Sequence, residues 1–116
     1  MPYITAEEWQ LLSFFEVHPE LRDCDVPWCY NDALYTVQQG EFKLSFAISP
    51  SYRDVRLILM HRGTRLYELN AMGVKDVRYR NENKVEELQI EISDLESLSL
   101  QLKPHIELVH QITERV

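Results

Sequence analysis

The chain has 116 residues, of which 45% are hydrophobic, 10% aromatic and 27% charged, with a formal net charge of −7. That length gives one domain over residues 1–116 with enough chain to bury a core, and the apolar content excludes wholesale disorder. The acidity, with a pI near 5.0, speaks against general nucleic-acid binding, which needs a basic field, and the longest purely apolar run, residues 57–60, is far short of the roughly 20 residues of a membrane-spanning helix.

The first expected element is a helix. Thr5 and Glu8 have the S/T-x-x-E spacing of a capping box, with Ile4 and Trp9 at the positions of a hydrophobic staple. Trp9, Leu12 and Phe15 follow at helical spacing, and Leu11, Phe14 and Val17 widen the stripe. His18-Pro19 ends it, because a residue before proline is pushed out of the helical region. Residues 18–32 then read as an irregular linker.

Strands dominate the rest. Residues 33–38 are rich in β-formers, and Phe42, Leu44, Phe46 and Ile48 alternate with polar or small residues. Further strands are expected over 55–61, 65–71, 74–80 and 88–92, separated by turn sequences. Leu98, Leu100 and Leu102 alternate as well. After Pro104 strand and helix compete, with strand preferred through Val109. Short turns imply antiparallel neighbours. The expected fold class is therefore α+β: an N-terminal helix packed on an antiparallel sheet, a meander of six or more strands.

Charge is unevenly placed. Residues 1–52 carry eight acids and two Lys/Arg, residues 53–84 four acids and eight Lys/Arg, and residues 85–116 seven acids and two Lys/Arg. Arg78 and Arg80 share a strand face, where pairing with Glu86, Glu87 and Glu91 of the next strand is the simplest reading; a phosphate-binding patch is the alternative. The acidic segment is more informative. Glu16, Glu20, Asp23, Asp25 and Asp32 surround Trp28 and Tyr30. Carboxylates that steer a basic partner, joined to aromatic anchors, make these seven residues the candidate protein-binding site. The competing reading is a solvated loop with Trp28 tucked into the core.

No catalytic motif is present. His18, His61, His105 and His110 are scattered, and Asp23/Asp25 or His61-Arg62 with Arg65 offer only generic metal or nuclease readings. No cofactor, metal site or catalytic residue is assigned. Cys24 and Cys29 lack a second pair at zinc spacing and are too few for a disulfide framework. Free thiols are expected, with a local disulfide as the alternative. The start of the chain has neither the basic nor the apolar stretch of a secretory leader, so a cytoplasmic protein is expected.

In layout the chain resembles the small immunity proteins encoded beside polymorphic, contact-dependent or secreted bacterial toxins. The resemblance rests on Glu8-Trp9 in the first helix, the Asp25-Val26-Pro27-Trp28 linker, and a β-meander through residues 65–69 and 98–104. It implies a non-catalytic cytoplasmic inhibitor, or antitoxin, that binds one cognate toxin domain, often a basic nuclease. An interaction or assembly domain, homodimeric through an unpaired sheet edge, is the alternative, and a small RNA-cleaving or metal-dependent enzyme ranks below it.

Overall fold

A computed structural model describes residues 4–113. One helix, α1 (Glu8–Phe15), is followed by nine strands: β1 (Glu20–Leu21), β2 (Ala33–Gln39), β3 (Phe42–Ser49), β4 (Asp54–His61), β5 (Thr64–Ala71), β6 (Asp76–Glu82), β7 (Val85–Glu91), β8 (Glu96–Gln101) and β9 (Glu107–Ile112). A 3₁₀ turn over Trp28–Tyr30 interrupts the linker. The α+β class and the antiparallel meander are as expected, and after Pro104 the chain forms a strand over Glu107–Ile112. The meander is divided into two sheets, β1-β2-β3-β4-β5 and β6-β7-β8-β9.

The hairpin turns follow from sequence. Arg62-Gly63 and Asn83-Lys84 both have positive φ throughout, the geometry of a two-residue turn whose twist matches that of its strands. Alternation then sorts the side chains. Leu44 lies opposite Leu59, Phe46 opposite Leu57 and Ile48 opposite Val55 on the inner face of the first sheet. Leu88, Ile90, Leu98 and Leu100 line the inner face of the second. These residues belong to one core.

Helix α1 joins the sheets. The Phe15 ring stacks on Tyr35 of β2 at 4.8 Å between centroids, and Phe14 meets Tyr79 of β6 edge-on at 6.3 Å. The helix starts later than expected. Glu7 is the N-cap, and its backbone N–H donates to Gln10 Oε1 at 2.9 Å. Thr5 is not the cap, because its N–H and Oγ1 both donate to Asp76, at 2.7 and 2.6 Å. Ala6 N–H bonds Val77 O at 2.8 Å, so this segment is strapped to β6. Burial works against charge on Asp76. Hydrogen bonds from Thr5, Arg78 and Val77 outweigh it and hold the carboxyl below its ordinary pKa.

The shifted frame also corrects the staple: Trp9 is 61% exposed, while Leu11, Phe14 and Phe15 form the buried stripe. The helix ends before His18, at Glu16, which takes a left-handed conformation (φ 58°) with its N–H on Leu12 O. Beyond it, residues 20–21 pair with β2 rather than lying in an irregular linker.

Candidate functional site

The acidic linker is held by a residue that composition does not single out. Asn31 is buried, and its Oδ1 accepts the N–H groups of Asp23 and Asp32 at 3.2 and 2.9 Å. Its Nδ2 donates to the carbonyls of Asp23 and Val26. One side chain thus replaces the sheet ladder that this loop lacks. Asp23 Oδ1 accepts the Asp25 N–H at 3.1 Å, tightening the turn further.

The loop so fixed forms one wall of an open cleft of about 630 Å³. Tyr30 stands on that wall. Tyr52 comes from the β3–β4 turn, Asp54 from the start of β4, Arg56 from the outer face of β4, and Met72 from the segment after β5. At its floor Arg56 Nη2 reaches both Asp32 oxygens, at 2.6 and 2.7 Å, and Ser49 Oγ donates to Asp32 Oδ1 at 3.0 Å. The rim is rich in exposed apolar surface: Tyr30 is 56%, Tyr52 75% and Met72 81% exposed.

The seven expected site residues are distributed unequally. Asp23, Tyr30 and Asp32 line the cleft. Glu20 and Asp25 are exposed but do not line it. Glu16 points elsewhere, to Lys103 Nζ at 2.9 Å. Trp28 corrects the expectation of an exposed anchor. It is 9% exposed, and its indole N–H donates to the buried Tyr35 hydroxyl at 2.9 Å. The 3₁₀ turn rotates Trp28 into the core and leaves Tyr30 outside.

The arginines and lysines of the middle segment are largely paired. Arg62 bonds Glu41 at 2.6 Å, Arg65 Glu68 at 2.9 Å, Lys75 Asp94 at 2.6 Å and Arg80 Glu82 at 3.2 Å. Arg78 lies 3.1 Å from Asp76 and 3.5 Å from Glu91, the cross-strand partner expected for it. Hydrogen bonding by Arg62 lowers the Glu41 pKa, and the bond to Asp94 raises that of Lys75. His61 sits 3.4 Å from Glu41 with its ring on Phe42. His110 bridges Tyr67 Oη at 2.8 Å and Glu96 at 2.7 Å, across the edges of the two sheets. Cys24 and Cys29 are free thiols. Among the described residues no group of three or more His, Cys, Asp or Glu converges on a possible metal position.

No protein-family model matches this chain, and no curated protein matches it in sequence. One solved structure does match in three dimensions. It is a contact-dependent growth inhibition toxin–immunity protein complex from Klebsiella pneumoniae 342, with a TM-score of 0.77 and 22% sequence identity, over 91% of this chain and 93% of that one. The chain has the fold of a component of a toxin–immunity complex. The match covers nearly the whole fold. Among the described residues no helix is long and apolar enough to cross a membrane.

Asp54, Arg56, Tyr52 and Met72 were outside the sequence reading of the site. A signal for one of them was present: Tyr52 is a large aromatic residue in the turn segment Pro50-Ser51-Tyr52-Arg53-Asp54, where no core demands it.

Proposed function

We propose that this chain is an immunity protein: a non-catalytic cytoplasmic inhibitor that binds a cognate toxin domain and blocks it. The observation that carries this reading is the shared fold over 91% of this chain and 93% of the matched one. Electrostatics favours the inhibitor's role over that of a nuclease toxin. A nuclease needs free cations facing its phosphates, whereas Arg56, Arg62, Arg65, Arg78 and Arg80 here face carboxylates. The net charge of −7 suits a basic, nuclease-type toxin, since complementary fields raise association rates by about 10 to 10³-fold. The acidic, aromatic-bearing linker remains the proposed contact region.

The test is co-expression with the toxin domain encoded immediately upstream. Growth should be restored and the two chains should purify together as a stable complex. A toxin that kills equally well in the presence of this protein, with no complex on a sizing column, overturns the reading.

A further inference from the structure

We propose that the cleft between the Asn31-held loop and the turn before β4 is the toxin-docking surface, and that it receives a Lys- or Arg-bearing segment of the toxin. This rests on the immunity-protein reading and deepens it by naming the surface and the chemistry of its occupant.

Three observations converge there. First, Tyr30, Tyr52 and Met72 come from chain segments about twenty residues apart and gather around one concavity. Single exposed apolar residues are ordinary, but tyrosine, methionine and arginine around a pocket have the composition of an interface centre. Second, the charge of the cleft is unevenly compensated. Asp32 is neutralised by Arg56. Asp23 and Asp54 instead use one carboxylate oxygen each on a backbone N–H, that of Asp25 and of Gly73, both at 3.1 Å. Against these two carboxylates the lining holds Arg22 as its remaining cation. An incoming ammonium or guanidinium gains a charge-assisted hydrogen bond there and an aromatic face beside it. Third, the walls are pre-ordered by Asn31, by the Asp54–Gly73 bond and by Val74 N–H on Arg53 O at 2.8 Å. A partner therefore loses little affinity to loop ordering.

A second copy of this chain is a poor occupant, since it would bring its own net charge of −7 against an acidic rim. Nucleic acid and anionic lipid are disfavoured for the same reason.

The experiment is isothermal titration of the upstream-encoded toxin domain into the full chain and three double variants. Tyr52→Ala with Met72→Ala removes exposed side chains only and is expected to weaken binding by about 30-fold or more, the scale of a hot spot. Asp23→Asn with Asp54→Asn keeps both backbone acceptors and is expected to weaken binding by about tenfold, with a flatter salt dependence. Arg80→Ala with Glu87→Gln, on the outer face of the second sheet, should bind within about twofold of the parent. If the parent binds tightly and both cleft variants match it, the docking assignment is overturned while the immunity reading stands. If the parent does not bind, both fall.

Discussion

Trp28 decides whether the linker is a loop with an aromatic on display or part of the core, and its hydrogen bond allows a quantitative test. The indole N–H meets a Tyr35 hydroxyl that is fully buried, with the Phe15 ring stacked on the same tyrosine. Trp28→Phe leaves that hydroxyl without its donor, at a cost of about 1–3 kcal/mol for an orphaned buried polar group. The smaller ring adds about 1 kcal/mol for the space it leaves. Tyr35→Phe orphans the indole N–H instead, for about 1–3 kcal/mol. The double variant orphans nothing, so its loss should fall short of the sum by about 1–2 kcal/mol. Urea denaturation followed by far-UV circular dichroism reads all three. The same pair has an alkaline signature. Burial pushes the Tyr35 pKa from 10.0 up to about 12, against the pull of the Trp28 hydrogen bond. The unfolded chain thus releases this proton first. The contribution is whole below pH 10 and drains as pH rises towards 12; Tyr35→Phe should lack that loss. A Trp28→Phe variant within about 0.5 kcal/mol of the parent, or a strictly additive cycle, would refute the reasoning.

Asn31→Ala removes four hydrogen bonds from a buried side chain and should cost about 2–4 kcal/mol; cleavage within residues 22–32 under limited proteolysis should accelerate at the same time. Asp76→Ala frees the Thr5 strap. From its hydrogen bonds, discounted for the water-facing side of the carboxylate, the cost is about 1–2 kcal/mol at about pH 7. Because the folded pKa is depressed, this contribution is present above the unfolded value near 4 and fades as pH falls through the folded one. Denaturation midpoints of parent and variant should therefore converge in acid. Gln39 ties β2 to the loop before β9 by donating to Leu102 O at 2.6 Å and accepting from Ile106 N–H at 3.1 Å. Gln39→Ala should cost about 1–2 kcal/mol and speed amide exchange at Ile106 in particular.

Strand alternation was legible because each sheet buries one face: β3 places Leu44, Phe46 and Ile48 inward at full burial, so the period of two is written in the residues. The division into two sheets was not. The break between the expected strands 65–71 and 74–80 reads in sequence as one more hairpin turn. Yet Val74 is buried and bonds Arg53 O, while Lys75 N–H bonds Glu91 O at 2.7 Å, so the chain crosses to the other sheet. Those partners lie 21 and 16 residues away in sequence, and no local pattern encodes them. The helix start failed for a similar reason: the capping box at Thr5 was sound locally, but Asp76 competes for the same groups with a charged acceptor. Of the site, the linker's acidity and Tyr30 were readable. Tyr52, Asp54 and Met72 joined it only through tertiary folding.

The acidic ends and basic middle of the sequence acquire a different meaning once folded. Arg56 reaches back to Asp32, Arg62 to Glu41, Lys75 forward to Asp94, and Lys103 back to Glu16. Solvent-exposed pairs of this kind add little stability one by one. Their larger effect is on the field. Each takes a cation out of play beside an acid, so the excess negative charge is left with carboxylates outside these ion pairs, Asp23 and Asp54 of the cleft among them. The proposed binding of a basic toxin would draw on that arrangement, because such an inhibitor must associate quickly with its target and then hold it. Unpaired carboxylates set the first property through long-range attraction, which falls with salt. The exposed Tyr30, Tyr52 and Met72 set the second through dissociation, which salt barely touches. Charge-removing and apolar-truncating variants of the same cleft should therefore separate kinetically, the former slowing association and the latter speeding release.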